Sequence, residues 1–566
     1  IIFWLIIVAT LAIIAATIAI IAISPKCLDW WQRSPIYQVY PKSFKDSNND
    51  GSGDLKGVQE KIDHFIYLDV KNIWVAPFYK SSLKDFNYAV DDHMEVDPTF
   101  GTMADFDSMI SAMHDKGLKL IIDLIPNHTS NKHKWFQLSR NRTDKYTDYY
   151  IWHDCAQVGG VRVPPNNWVS VYGDSAWEYD VTRNQCYLHQ FRKEQPDLNF
   201  NNPDVHEEIL NIIKFWLGKG VDGFTINSAK FILEAEHFRD EPQVNKLQDP
   251  PDLLFYVCWF RCVDSLVSLV SQTLIIKFMG TESNDQPAID KTMLYYGNSF
   301  IQEADFPLNS YLLDLSRTNL NGLSIFSNVD LWMKSMPSGK WPSWMVGGPS
   351  YSRISSRVGR QYINVMNMLL LTLPGTPTTY YGEELGMEDG SPNVDTDKPE
   401  EYNPILIEMG ENVEYPEKTP MQWDSSENAG FSGANKTWLS INPDYEAVNV
   451  EAQRNEQYST LNLYRELNNL RNNELPLHRG WLCYTWSDLN VFAYVRELDG
   501  LNKVFMMVLN FGGASTINMR QEVPDLPAEA KIRLSTDGSR VGKAVNTGSI
   551  ETKPGEGLIL EYKTNK

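Results

Sequence analysis

The sequence predicts a single N-terminal transmembrane helix followed by an α/β body: a (β/α)8 barrel with a domain inserted after its third strand and an all-β domain at its C-terminus. Three observations lead there. Residues 1–24 are apolar and uncharged, β-rich apolar segments alternate with amphipathic stretches through most of the remainder, and that alternation stops in two places. With 566 residues and 42% hydrophobic content, the chain has material for two or three globular units.

At roughly 1.5 Å per residue, residues 1–24 reach about 36 Å, enough to cross a bilayer with some tilt. A cleaved signal peptide has a shorter apolar region followed by a small-residue cleavage site, and Ser24-Pro25-Lys26-Cys27 offers none. Within the helix, Ala9, Ala12, Ala16 and Ala19 fall on one face, so a second helix is expected to pack closely there. Residues 25–35 then form a juxtamembrane neck. The net charge of −21 argues against nucleic acid as a partner.

Orientation is read from the body. Asn127-His-Thr, Asn141-Arg-Thr and Asn435-Lys-Thr are glycosylation sequons, which favour a lumenal or extracellular body and a cytosolic N-terminus, the single-pass type II arrangement. The six cysteines lack the paired spacing that zinc requires. Cys155 and Cys186 flank one polar insertion and are placed to staple it. Cys258 and Cys262, four apart on an expected helix, read as reduced core thiols, and Cys483 has no obvious mate. Cys27 lies three residues beyond the apolar run, where it is open to a disulfide with a partner's juxtamembrane cysteine, to an internal bridge, or to remaining a free thiol.

The barrel is expected over residues 36–128 and 203–475, with strands at Ile36–Tyr40, Asn72–Ala76, Leu118–Ile125, Gly223–Ile226, Leu274–Met279 and Thr378–Tyr381. Polar residues follow their C-terminal ends, the face on which such barrels build sites. Residues 129–202, rich in Trp, Tyr, Asn and Gly, form the inserted domain. A second insertion, rich in Pro, Glu and Asn, runs from Glu388 to Tyr445. Residues 476–566 read as a terminal β-sandwich, with strands such as Val491–Arg496 and Lys503–Leu509. Near the start of the barrel, Asp46, Asn48, Asp50 and Asp54, with the Ser52 carbonyl between them, supply alternate oxygens around glycines. That pattern suits either a Ca²⁺ loop or an Asx-rich turn.

Several segments resemble the oligo-1,6-glucosidase branch of the α-amylase family: Tyr37-Gln-Val-Tyr-Pro-Lys-Ser-Phe, the Asp46–Asp54 loop, Asp123-Leu-Ile-Pro-Asn-His128, Gln195-Pro-Asp-Leu-Asn199, Gly375-Thr-Pro and Thr419-Pro-Met-Gln-Trp423. They run in family order from about residue 30 to 440, and the resemblance implies a TIM barrel. In that family retaining hydrolysis uses two carboxylates, one attacking the anomeric carbon and the other protonating the leaving oxygen. Glu282 matches the acid. Asn227, in Gly223-Phe-Thr-Ile-Asn227-Ser-Ala-Lys230, stands where the nucleophilic aspartate belongs, and Thr225 replaces the arginine that would orient it. Pro349 and Ser350 replace a histidine and an aspartate, and Asn87-Tyr88-Ala89 lacks the sugar-binding aspartate after its tyrosine, whereas Asp123, His128, Glu282 and Arg353 remain. The resemblance therefore implies a degenerate site without glycosidase activity. It also implies a second Ca²⁺ site joining the inserted domain to the barrel, formed by Asn127, Asp197, the carbonyl of Phe231 or Ile232, and Glu234. Asn127 then has two incompatible roles, since a residue facing a buried ion has no room for a glycan.

A glucosidase-like body with an anchor, an altered site and a cysteine just outside the membrane resembles the heavy subunits of heteromeric amino-acid transporters, in the branch that keeps the inserted domain. That resemblance implies a disulfide through Cys27 to a multi-spanning light subunit, which exchanges cystine and dibasic amino acids for neutral ones. It also implies a dimer of heterodimers, maturing through the endoplasmic reticulum to the apical plasma membrane. The competing expectations are a membrane-anchored α-glucosidase and a lectin-like sugar receptor.

Overall fold

The computed structural model of the chain describes Thr10, Ile13 and residues 27–82, 88–234, 237–241, 277–282, 288–297, 303–390 and 416–564. The expected anchor, its alanine face and Cys258 and Cys262 lie outside these residues, as does Asn87. Among the described residues no helix is long and apolar enough to cross a membrane.

Eight parallel strands follow one another around the barrel: β1 (Ile36–Val39), β2 (Asn72–Val75), β3 (Lys119–Leu124), β4 (Gly223–Ile226), β5 (Phe278–Thr281), β6 (Phe306–Pro307), β7 (Ser343–Met345) and β8 (Thr376–Tyr380). Their order in the sheet is 6-5-4-3-2-1-8-7, so β1 pairs with both β2 and β8. The edges left by that order, β6 and β7, are joined by a side chain: Ser343 Oγ donates to the Pro307 carbonyl at 2.6 Å and accepts the Asn309 N–H at 3.1 Å. Nearly every strand residue is buried, as expected where helices cover the outside and side chains fill the inside, which is why these segments read as continuous apolar runs.

The neck enters the barrel from below, at the N-terminal ends of the strands. Its short helix, Trp30–Arg33, buries Trp31 against Phe278 and Phe306 with ring centroids 5.7 and 5.4 Å apart. The Thr376 hydroxyl donates to the Trp31 carbonyl at 3.1 Å, fixing that entry.

The inserted domain opens after β3 and closes where Asn202 caps the helix Pro203–Gly218. It contains a three-stranded antiparallel sheet (Trp152–His153, Gln185–Leu188, Trp177–Asp180) and a hairpin pairing Ala156–Val158 with Val161–Val163. Cys155 and Cys186 are disulfide-bonded, as their positions suggested, and tie the hairpin to the sheet. One piece of chain outside the expected boundaries joins this domain: Phe238 stacks on Trp168 at 5.5 Å, and Asn167 exchanges hydrogen bonds with Glu241.

The terminal domain is a six-stranded antiparallel sheet whose first strands are β9 (Trp481–Ser487), β10 (Val491–Glu497) and β11 (Lys503–Asn510). Alternation in β10 assigns its faces: Phe492 and Tyr494 join the barrel's core, while Val491, Ala493 and Val495 face a separate core closed by the two-stranded pairing of Ser515–Ile517 with Ile550–Thr552.

Two expectations about the barrel need correction. Strands β6 and β7 are two and three residues long, too short to carry a periodic signal, and were not foreseen. The fifth strand spans Phe278–Thr281 rather than Leu274–Met279, with residues 274–276 outside the described chain. Gly280 lies inside it, and the missing Cβ is what lets Phe278 pack within 3.1 Å of that position.

Candidate functional site

The C-terminal ends of β3, β4 and β5 bring the expected barrel-mouth residues together. Thr225 is in register with Asp123 on one side and Gly280 on the other. One step further, Asn227 and Glu282 face each other: the Asn227 N–H donates to the Leu124 carbonyl at 2.8 Å and the Glu282 N–H to the Ile226 carbonyl at 2.9 Å. The Asn227 side-chain amide donates to the Glu282 carboxylate and accepts from the Ser228 hydroxyl at 2.7 Å. Burial raises Glu282 above the usual carboxylate range, opposed by the Ser228 N–H and the Lys230 charge. Glu282 is therefore held by the Asn227 amide.

Asp123 and His128 are buried at 2% and 1% exposure. Trp74 donates its indole N–H to Asp123 at 3.2 Å. His128 meets the Tyr88 carbonyl at 3.2 Å and the Gln195 amide at 3.0 Å, and burial depresses its pKa to about 3, so the ring is neutral. Pro349 and Ser350 occupy a turn after β7, closed by the Tyr351 N–H to the Gly348 carbonyl at 3.2 Å; Pro349 is half-buried and Ser350 exposed. Arg353 lies behind them, donating to the Tyr381 carbonyl at 2.7 Å and stacked over Tyr381.

The junction between the inserted domain and the barrel draws its expected oxygens to one point. The Asn127 and Leu198 backbones pair across the junction, and Asn127 Nδ2 donates to Asp197 Oδ1 at 3.2 Å. At the centre stands Gln190, which nothing in the sequence singled out. Its Nε2 lies 2.8 Å from Asp197 Oδ2, 2.7 Å from the Phe231 carbonyl and 3.1 Å from Glu234 Oε1. An amide nitrogen has two hydrogens, so three acceptors around it exceed what it can satisfy. Asn127 Oδ1 is also buried with no hydrogen-bond partner among the described residues. Burial raises Asp197 and Glu234 well above the usual carboxylate range, and Asp197's charge adds to the rise at Glu234. These hard oxygens, short of positive charge, fit Ca²⁺. Ile232 is buried beside them, but no hydrogen bond places its carbonyl in the set.

Asn127 is 1% exposed, which leaves a glycan no exit, so the sequon reading of this residue is corrected. Asn141 and Asn435 are exposed. In the Asp46–Asp54 loop the oxygens bind mainly the loop's own groups, and Asp46 Oδ2 also accepts from the Ser432 hydroxyl at 2.6 Å. Asp46 accepts from the N–H groups of Asn48, Asn49 and Gly51 at 3.0, 2.7 and 2.8 Å. Asp54 accepts from Ser47 at 2.9 Å and caps the next helix through Gly57 at 2.6 Å, Asn48 accepts from Asp50 at 2.9 Å, and Asp50 from Ser52 at 2.8 Å. These hydrogen bonds make an Asx-rich turn. Cys27 is exposed with a free thiol, and Cys483 is free and half-buried.

The sequence pattern described as alpha amylase, catalytic domain, matches residues 38–480. The human amino acid transporter heavy chain SLC3A1 is 54% identical over 100% of this chain and 82% of its own length. The chain belongs to the α-amylase family, in its amino acid transporter heavy-chain branch. An α-glucosidase from Culex pipiens is 36% identical, covering 95% of this chain and 91% of its own. Among solved structures, trehalose-6-phosphate hydrolase of Bacillus licheniformis superposes with a TM-score of 0.83 at 28% identity, covering 95% of this chain and 100% of its own. The heavy-chain branch thus shares barrel, inserted domain and terminal sheet with enzymes that cleave sugars.

Proposed function

We propose that this chain is a non-catalytic type II membrane glycoprotein, the ancillary heavy subunit of a heteromeric amino-acid transporter. In this reading it stabilises a multi-spanning light subunit and carries it to the apical plasma membrane, and that light subunit exchanges cystine, dibasic and neutral amino acids. The observation that carries the proposal is the 54% identity to a transporter heavy chain along the whole sequence. The Asn227–Glu282 pair supports it chemically. An amide has no carboxylate oxygen with which to form a glycosyl ester, and its hydrogen bond occupies the general acid.

The exposed Cys27 thiol, at the start of a neck fixed beneath the barrel, supplies the covalent link to the light subunit, and the Ala9–Ala19 face the membrane contact. A dimer of two such heterodimers follows the heavy-chain pattern. At the junction, Asp197, Glu234, Asn127 and the Phe231 carbonyl would hold Ca²⁺, which would supply the positive charge that the buried carboxylates lack and tie the inserted domain to the barrel.

The test is a non-reducing gel of the detergent-extracted protein coexpressed with a candidate light subunit. A slower band that collapses on reduction and is missing in Cys27→Ser is expected. Equal mobility in all lanes removes the covalent-subunit reading, and release of glucose by the purified body would favour the anchored α-glucosidase instead.

A further inference from the structure

Gln190 is a side chain that spans the junction. It follows the strand Gln185–Leu188 of the inserted domain, is 4% exposed, and its backbone N–H donates to Asp197 Oδ2 at 3.1 Å. Phe231 and Glu234 belong to the other side, in and just after the short turn Ala229–Phe231 that follows β4. The Gln190 amide nitrogen reaches both of them as well as Asp197. Phe191, next in sequence, packs on Phe231 and on His128 with ring centroids 5.0 Å apart in each case, closing that flank with rings. Gln190 Oε1 makes no hydrogen bond among the described residues, so the three acceptors set which way the amide faces.

Glu234 depends on this contact. Its carboxylate has no other side-chain donor among the described residues, and the charge that acts on it is the like charge of Asp197. Two carboxylates at one buried point repel each other, and left alone they would draw apart and scatter the oxygens an ion needs. A cationic side chain at position 190 would hold them, but it would also neutralise them and leave nothing for an ion to do. A neutral amide holds both and adds no charge of its own. With two hydrogens among three acceptors, it also leaves one oxygen free at any moment. We propose that Gln190 is a positioning residue for the junction ion: its amide keeps Asp197, Glu234 and the Phe231 carbonyl converged while the site is empty, so that Ca²⁺ meets a preassembled set of oxygens. Outer partners that orient metal ligands in this way commonly weaken metal binding ten- to a hundredfold when removed. The inference rests on the reading of the junction as a Ca²⁺ site and is independent of subunit assembly.

The test is calorimetric titration of Ca²⁺ into the detergent-purified full chain after chelator treatment, with thermal midpoints measured in chelator and in saturating Ca²⁺. Gln190→Leu is expected to bind Ca²⁺ roughly ten- to a hundredfold more weakly, and its midpoint in saturating Ca²⁺ shows that it is folded. Gln190→Glu supplies oxygens but no hydrogens and is expected to weaken binding at least as much. Gln190→Lys places an ammonium among the same acceptors, and it is expected to abolish the Ca²⁺ heat and make the midpoint indifferent to chelator. Should Gln190→Leu not fold, the Glu and Lys variants decide the question in the same titration. A Gln190→Glu variant that binds as tightly as the unsubstituted chain, or more tightly, makes the residue a ligand or an obstacle and overturns the proposal, as does unchanged or tighter binding by Gln190→Leu. No saturable heat with the unsubstituted chain overturns it by removing the ion itself, an outcome told apart from the others because in those the unsubstituted chain still titrates.

Discussion

Arg496, on β10 of the terminal sheet, donates to the carbonyl of Thr372, the last residue of the barrel helix Ile363–Thr372. The same guanidinium reaches the Leu477 and Gly480 carbonyls at 2.9 Å each, and Arg471 beside it binds the Leu371 and Leu373 carbonyls at 2.9 and 3.0 Å. Two fully buried cations thus satisfy the open carbonyls of one helix end, where its dipole favours positive charge. Arg496→Met is expected to destabilise the chain by about 3–5 kcal/mol in urea unfolding, because several buried acceptors lose their donor at once. Arg496→Lys should recover less than half of that, since one ammonium cannot span three carbonyls.

Glu383 gives a pH dependence with a definite sign. It is 2% exposed, and burial raises its pKa to about 8 against the pull of the Tyr380 N–H, Arg353 and Arg357. Its folded pKa lies above the unfolded value, so its contribution to stability is complete below about pH 4.3 and is lost as pH rises through the folded pKa. Denaturation of Glu383→Gln and the unsubstituted chain across that range should therefore diverge by up to about 1.4 kcal/mol per pH unit, with the variant the more stable at high pH.

The Cys155–Cys186 bridge closes a separation of 31 residues. Replacing both cysteines by serine is expected to cost the inserted domain about 2–4 kcal/mol. Limited proteolysis should then cut first within residues 129–202 and leave the terminal sheet intact.

Removing Ca²⁺ with a chelator is expected to lower the thermal midpoint, and Asp197→Asn should abolish that response by removing a charged ligand. The same chelator applied to Asp54→Asn is expected to act as it does on the unsubstituted chain, because the Asp54 oxygens already serve the loop's own amides and the next helix.

Asn227→Asp alone is expected to leave release of a chromogenic glucoside at background. It adds one carboxylate with Thr225 of β4, not a cation, two residues before it, and the parts of a hydrolytic site act as a unit. It should also destabilise the chain by about 1–3 kcal/mol, since a hydrogen bond to Glu282 becomes a repulsion between carboxylates.

Much of this was legible in the sequence because the signals were local. The apolar runs at Ile36, Asn72 and Gly223 gave their strands within a residue or two, and Cys155 and Cys186 paired as their positions flanking one insertion suggested. The motifs placed Asn227 opposite Glu282. What stayed hidden depends on long-range packing. Arg471 and Arg496 look like surface cations in sequence and are fully buried on carbonyls up to 124 residues away. Gln190 carries no pattern at all, yet stands at the centre of the junction because the inserted domain folds back onto β3.

Among the described residues the staves of this cylinder are joined by backbone everywhere except between β6 and β7, which leaves a slit with the Ser343 hydroxyl as its clasp. If the barrel loosens under thermal or mechanical load, it unrolls along that line, so the molecule's first point of yielding sits half a turn around the barrel from β3 and the inserted domain.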